Sequence, residues 1–599
     1  MTTYVAPIAD MRFVLNELAG IAELAALPGL SDATPDLVDA VLEEAGKFAS
    51  NVLAPLNRTG DVEGATFSDG QVKTAPGWKE AYQAFVEGGW NGLAIDAEWG
   101  GQGLPWLVNA ATQEMWHAAN MSFGLCPMLT QGAIEAVLFH GSPEQKALFL
   151  PKLVTGEWTG TMCLTEPQAG SDLSAVKSRA LPNGDHYLIT GQKIFITYGE
   201  HDLAENIIHL VLARTPDAPA GVKGISLFVV PKLLLDASGA PSQTNDVRCI
   251  SIEHKLGIHG SPTATLSFGD EGGAVGWLIG EENRGLEYMF TMMNVARLSV
   301  GIEGIAISER AYQAAAAFSR ERVQGRPVGD SSGERSPILG HMDVRRMLLD
   351  MRARIEAMRA VAYSCAAAID RAHHHPDEAE RQRSMKLVDL LTPVVKGWCT
   401  EWSIAITSTG VQVFGGMGYI EETGVAQHFR DARITTIYEG TTGIQAADLV
   451  GRKVLRDQGA SFRELLRTMR TFTAVLERES TDPLPAVCDA LVRGMESLEA
   501  AISWLQEAAG RDKRLPLAAA VPFLELTGTV LGGYEHARAA LRAQALLEVG
   551  GGDTGYLEAK LGTARFYAAS ILPRAHAHLQ SMVEGAQAVV DVSDSVFKS

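Results

Sequence analysis

The sequence predicts a mainly helical fold with a central β-domain, in the order helices, strands, helices and further helices. Three observations predict it. Residues 1–160 carry Ala- and Leu-rich amphipathic segments such as PDLVDAVLEEAGKFASNVL, interrupted by Gly/Pro punctuation such as EWGGQGLP at 98–105. Residues 161–280 change character. HYLITGQKIFIT, IIHLVLAR, GISLFVV and TATLSF are short, rich in β-branched and aromatic residues, and bounded by Gly, Asn, Asp and Pro, as strands are. Helical periodicity returns at 281–455, where Val344, Leu348, Met351, Ile355, Met358 and Ala362 recur every three or four residues, the seam of a helix in a bundle. Residues 456–599 are helical again, with a break at STDPLP (480–485), and read as an appended helical domain.

At 599 residues and 46% hydrophobic content the chain can bury several cores. A net charge of -20 argues against nucleic acid, whose phosphates require a basic face. The six cysteines are dispersed with no CxxC pair, which points to a reducing compartment without a disulfide framework or zinc site. The start, MTTYVAPIADMRFVLNELAG, has no basic region before an apolar run and does not read as a signal peptide. No apolar run long enough to span a bilayer stands out, so the expected location is the cytoplasm. GxSxG, HExxH and P-loop patterns are absent, which removes the usual supports for hydrolase, zinc protease and NTPase readings.

Four stretches concentrate chemistry. MCLTEPQAGSDL (162–173) crowds Thr165, Gln168, Gly170, Ser171 and Asp172 where helices give way to strands, and reads either as a ligand-approaching loop or as a polar turn capped by Ser171 or Asp172. GQKIFIT (191–197) alternates as a strand, Ile194 and Ile196 on one face, Phe195 and Thr197 on the other; an aromatic and a hydroxyl side by side would suit a flat heterocycle. QVFGGMGYIEE (412–422) is a Gly-rich loop that could cradle a pyrophosphate or simply join two helices; it is not GxGxxG. IYEGTTGIQ (437–445) sets Glu439 between an aromatic and a glycine, with Arg433 the nearest basic residue in sequence. That glutamate reads either as a poised base or as a helix-terminal residue facing water.

Together these stretches resemble the acyl-CoA dehydrogenase family. MCLTEPQAGSD is similar to its first signature, and QVFGGMGYIEETGVAQHFRDARITTIYEGTTGIQ to its second, with GEENRGLEYMF and SRERVQGR fitting between them. The resemblance covers roughly residues 1–455, and the added helical tail is most similar to the long bacterial branch that includes methylmercaptopropionyl-CoA and broad-range fatty acyl-CoA dehydrogenases. It implies an N-terminal helical domain (1–160), a β-barrel-like domain (161–280), a four-helix bundle domain (281–455) and a C-terminal helical extension (456–599). It implies FAD as cofactor, a saturated acyl-CoA as substrate, a trans-2-enoyl-CoA as product and an electron-transfer flavoprotein as acceptor. Glu439 would remove the α-proton while the β-hydrogen leaves as hydride to flavin N5.

By matching positions, Thr165 and Ser171 would bond the flavin, Ser171 also lying near the CoA. Phe195 would pack on the isoalloxazine and Thr197 would bond near N5. Arg322, Gln412 and Gly416 would meet the pyrophosphate or adenosine across a subunit interface, which implies at least a homodimer. Thr441 would touch the nucleotide, Asn294 and Arg297 would contact the acyl-CoA, and Gly440 would let the thioester approach. Phe195 stands where many relatives have Trp, and Gly443 where many have Gln. The near-neutral extension argues against docking on a membrane. An acyl-CoA oxidase that uses oxygen, and a flavin-binding protein without dehydrogenase activity, are the competing expectations.

Overall fold

The computed structural model describes residues 4–329 and 334–598. Their contacts divide into two compact units, one mainly Glu43–Ser299, the other Pro7–Leu42 together with Val300–Ser599.

In the first unit the main helix is α1, Trp106–His140, buried on almost every side. Most of its residues are apolar, and polar ones such as Asn109, Gln113, Glu114, His117 and Gln131 are buried with them; the helix kinks at Asn120. The following α2, Pro143–Thr155, begins with a capping box: Ser142 Oγ accepts from Gln145 N at 3.2 Å and Gln145 Oε1 from Ser142 N at 2.9 Å. The strands of the main sheet are β1 Trp158–Cys163, β2 Arg179–Asn183, β3 His186–Thr197, β4 Asn206–Ala213, β5 Ser226–Pro231, β6 Val247–Ile252, β7 Thr263–Phe268 and β8 Ala274–Ile279. They pair in the order β6-β7-β3-β8-β5-β4-β1, with β2 also on β3. All pairs are antiparallel except β1 with β4. Backbone bonds from Ala180 N to Arg214 O and from Arg214 N to Ser178 O lead from the end of β4 back to β2, so β2, β3, β8, β5 and β4 form a closed ring. Inside it lie Ala180, Ile189, Val211, Phe228, Val230 and Phe268.

In the second unit the long helices are α3 (Gly285–Glu321, from Val300 onward), α4 (Met342–His374) and α5 (Glu378–Phe414), with the shorter α6, Thr442–Val450, beside α5. On α4, Leu348, Met351, Ile355, Met358 and Ala362 are buried, following the expected period. The extension supplies α7 Leu484–Arg511, α8 Ala520–Glu548, α9 Thr554–Phe566 and α10 Arg574–Asp591. α8 seats directly on α5, because Gly528 leaves room for Trp398: a Cβ there would come within 2.3 Å of the indole.

A buried ionic cluster joins both ends of the chain to this bundle. Asp10, in the short helix Ile8–Phe13, accepts from Arg359 of α4 and Lys560 of α9, and from Tyr556 Oη at 3.0 Å. Arg359 also meets Glu309 of α3 at 3.0 Å, and Glu356 of α4 meets Arg352 at 2.5 Å and Lys560 at 3.3 Å. Three acids face three bases, so the charges balance. The extension is part of the bundle's core.

By length and mean hydropathy α1 and α3 would each suffice to cross a membrane, although no such run stands out in the sequence, but 89% and 72% of their apolar windows are buried within the protein. All six cysteines are buried thiols.

Candidate active site

Glu439 lies in the link between the turn Arg433–Thr436 and α6. Its φ is +55° and that of Gly440 is +89°, two successive left-handed residues. A non-glycine residue in that region is strained by about 1–3 kcal/mol and persists only when its surroundings enforce it. Here the enforcement is visible on each side. Tyr438 Oη donates to Glu303 of α3. Gln445 Nε2 donates to the Glu439 carbonyl at 3.3 Å, and Lys396 Nζ of α5 donates to the Gly440 carbonyl at 2.5 Å. Thr441 caps α6 by accepting from Ile444 N at 3.3 Å, and Thr442 Oγ1 donates to Glu401 at 2.5 Å. A cation thus stands by the Glu439 link, although Arg433 is the nearest basic residue in sequence. Lys396 is fully buried and arrives from α5, a stretch remote in sequence.

In the other unit, the first-signature loop follows β1. Its anchor is Glu166, 4% exposed, which accepts from Lys193 Nζ at 2.8 Å, from Ser178 N and Oγ, and from Lys177 N. Burial would raise its pKa, but the Lys193 charge and these bonds outweigh burial and hold it down to about 2. Thr165 carbonyl accepts from Ile194 N at 2.9 Å, so Thr165 is fastened to the strand that carries Phe195. Ser171 is exposed, and Asp172 caps a short turn by accepting from Ser174 N at 2.9 Å.

The strict alternation expected for GQKIFIT does not hold. Against β7, Ala264 faces Ile196 while Leu266 faces Lys193, so β3 carries a bulge at Ile194–Phe195. Lys193 and Ile196 are the buried residues, Ile194 is half-buried, and Phe195 sits at φ +60° with 58% of its surface exposed. The bulge re-aims the aromatic ring outward. Thr197, half-buried, follows on the same strand. An exposed ring on strained backbone, with a threonine two residues on, is an arrangement that suits a flat heteroaromatic cofactor.

Arg322 and the Gly-rich loop meet at one end of the bundle. Phe318 and Phe414 stack with centroids 4.1 Å apart, and Arg322 N bonds back to Phe318 O. Gln412 and Gly416 lie beside Phe414 and are exposed; a Cβ at Gly416 would meet nothing within 4 Å, so the loop presents open backbone. Asn294 and Arg297 share one face of α3, with Arg297 Nη1 3.4 Å from Asn294 Oδ1 and stacked over Phe290 at 5.7 Å.

A helical region, a curled sheet bearing an outward aromatic, and a bundle holding a strained glutamate suit a flavin-dependent oxidoreductase. Comparison with known proteins makes the assignment. Residues 36–157, 161–270 and 283–455 match the N-terminal, middle and C-terminal domains of acyl-CoA dehydrogenases, and 465–593 match the acetyl-CoA dehydrogenase C-terminal-like domain. The chain is 49% identical over 571 residues, 95% of its length and 96% of the relative's, to 3-methylmercaptopropionyl-CoA dehydrogenase of Ruegeria pomeroyi. It is 34% identical over 597 residues, 96% of each chain, to the broad-specificity linear acyl-CoA dehydrogenase FadE5 of Mycobacterium tuberculosis. Its fold is similar to that of an acyl-CoA dehydrogenase complexed with FAD from Bacillus anthracis, with a TM-score of 0.72 at 21% identity, covering 94% of this chain and 90% of that one. The chain belongs to the acyl-CoA dehydrogenase family. It is an oxidoreductase, and FAD is its cofactor.

Proposed function

We propose that this protein dehydrogenates a short acyl-CoA thioester of the 3-methylmercaptopropionyl class between its α and β carbons, with Glu439 as the base. The 49% identity to a 3-methylmercaptopropionyl-CoA dehydrogenase over nearly the whole of both chains carries the substrate class. The left-handed, three-way-anchored backbone carries the base, since strain of this kind is kept where a side chain must be aimed.

The residues present suit the cofactor. Phe195 would pack on the ring system, Thr165, Ser171 and Thr197 would bond its edge, and Thr441 would lie near its nucleotide. Arg322 with Gln412 and Gly416 would meet the dinucleotide of a neighbouring copy, making the working unit at least a homodimer. FAD, when bound, supplies the acceptor for the β-hydride, and an electron-transfer flavoprotein takes the electrons onward. Glu439 takes the α-proton onto its carboxylate. As negative charge moves to the thioester oxygen, backbone N–H donors of the Glu439 link stabilise it. Gly440, having no side chain, leaves the thioester room to approach. Asn294 and Arg297 hold the acyl-CoA.

Anaerobic titration with a panel of acyl-CoAs tests this reading. The oxidised flavin absorbance bleaches with 3-methylmercaptopropionyl-CoA at least as well as with butyryl-CoA. Glu439→Gln keeps its flavin but loses roughly 10²–10⁴-fold in rate. Bleaching only by long-chain thioesters refutes the substrate class. Near-normal rates in Glu439→Gln place the base elsewhere. Peroxide formation in air at the rate of turnover would make the protein an oxidase.

A further inference from the structure

We propose that Glu303 is a positioning residue for the reaction: a buried carboxylic acid that acts through Tyr438 to hold the Glu439 link and to set the charge that Glu439 feels. This rests on Glu439 being the base. Glu303 and Lys396 lie outside the signature stretches MCLTEPQAGSD, GEENRGLEYMF, SRERVQGR and QVFGGMGYIEETGVAQHFRDARITTIYEGTTGIQ, and their places follow from how two helices meet. α3 and α5 come together at two glycines: a Cβ on Gly301 would fall 2.4 Å from Val395, and one on Gly304 2.9 Å from the Cys399 carbonyl. At this contact α3 presents Glu303 and α5 presents Lys396, both fully buried. Glu303 takes the hydrogen bond of the Tyr438 hydroxyl, on one flank of Glu439, and Lys396 donates to the Gly440 carbonyl, on the other.

A carboxyl group is a demanding choice for such a place if the task were only to accept one phenol proton. Its second oxygen, Oε1, has no hydrogen-bond partner among the described residues, so the ionised form would be poorly solvated. Burial first, and then the charge of Glu439, push its pKa up to about 8 against the opposing effects of the Tyr438 bond and Lys396. At neutral pH Glu303 is a neutral acid. The groups that face the pair are Glu439 and Lys396, together with Asp431 of the helix Val425–Ala432, whose charge acts on Tyr438. Above about pH 8 Glu303 ionises, which adds a second negative charge near Glu439. A like charge raises the proton affinity of a carboxylate, so the base becomes stronger while remaining ionised. The rate of α-proton removal therefore steps upward through the titration of Glu303.

Single-turnover flavin reduction by an acyl-CoA substrate, followed across pH in the FAD-loaded protein, tests the proposal. The wild type shows a rising step centred near pH 8. Glu303→Gln, which keeps an acceptor for Tyr438 and cannot ionise, abolishes the step. Tyr438→Phe removes a bond that favours the ionised form and moves the step to higher pH. Glu303→Ala releases the link and slows reduction roughly 10- to 100-fold, with the expected signature in kcat and not KM. Infrared spectra provide a readout independent of turnover. A protonated-carboxyl band lost above about pH 8 is present in the wild type, is lost at lower pH in Glu439→Gln, where the charge that helps to raise it is gone, and is absent in Glu303→Gln. An unchanged pH profile in Glu303→Gln, or no such band difference, overturns the proposal while an inactive Glu439→Gln leaves the base intact. An active Glu439→Gln overturns both.

Discussion

Replacing Lys560 by Met removes one of three cations from the ionic cluster and leaves the rest in place. Lys560 is 3% exposed, bonded to Asp10, 3.3 Å from Glu356 and 5.4 Å from the ring centres of both Phe13 and Tyr556. Met fills a similar volume, so the effect is electrostatic: a cluster that was neutral retains one uncompensated negative charge. Removing one member of a buried pair destabilises by about 3–5 kcal/mol. Asp10→Asn alone falls in the same range. The double variant recovers part of the loss, with a coupling of about 0.5–3 kcal/mol, because each substitution removes the charge the other orphans. The pH dependence has a definite sign. Burial raises the Asp10 pKa, but Lys560, Arg359 and Arg352 outweigh it and hold the carboxyl well below its ordinary value of 3.8. A depressed folded-state pKa contributes stability that is complete above the unfolded value and disappears as pH falls through the folded one. The gap between wild type and Lys560→Met is therefore full at neutral pH and narrows below about pH 4. Urea midpoints of the FAD-loaded proteins at several pH values measure it. A Lys560→Met variant within about 0.5 kcal/mol of wild type, or a strictly additive double variant, refutes the reasoning.

Three further outcomes follow from the same geometry. Gly440→Ala places a Cβ 2.6 Å from Gln445 Nε2 at a φ of +89°, and lowers both the thermal midpoint and the rate of flavin reduction, by about 1–3 kcal/mol in stability. Lys193→Met leaves Glu166 buried without its cation, unfastens the Thr165 loop from β3, and raises the dissociation constant for FAD measured by fluorescence, with about 3–5 kcal/mol of lost stability. Glu303→Gln stabilises the protein. Holding that carboxyl neutral at pH 7, with a pKa near 8 folded and 4.5 unfolded, costs about 3 kcal/mol, and the gain over wild type shrinks as pH falls toward 5.

The succession of helices, strands and helices was legible because period and composition change sharply at its joints. So were the stretches that build the site, because each gathers glycine, hydroxyl and acidic residues against an apolar background. The face assignment along Gln192–Thr197 was not legible. A bulge is decided by the register of the partner strand, and nothing within β3 itself announces that two residues will oppose one on β7. Lys396 and Glu303 were missed for a related reason: they reach Gly440 and Tyr438 across 44 and 135 positions of chain. A faint signal existed. Each is a single charge inside an apolar run, LLTPVVKGW and SVGIEGIAI, where an ionisable group is rarely retained without a partner. The ionic cluster carried no signal at all, since Asp10 reads locally as an ordinary acid in a short amphipathic helix.

That cluster also has a consequence for how the protein is made. Asp10 and Lys560 are 550 positions apart. At about 5–20 residues per second, a ribosome that has released Asp10 needs roughly half a minute to two minutes to deliver its partner. Residues Glu43–Ser299 are one uninterrupted segment and complete their own contacts during that interval, whereas Pro7–Leu42 wait first for α4 and then, for Lys560, for α9. The segment around Asp10 thus completes its ionic cluster only after α9 has been made. A chain that stops before α9 leaves it permanently without Lys560.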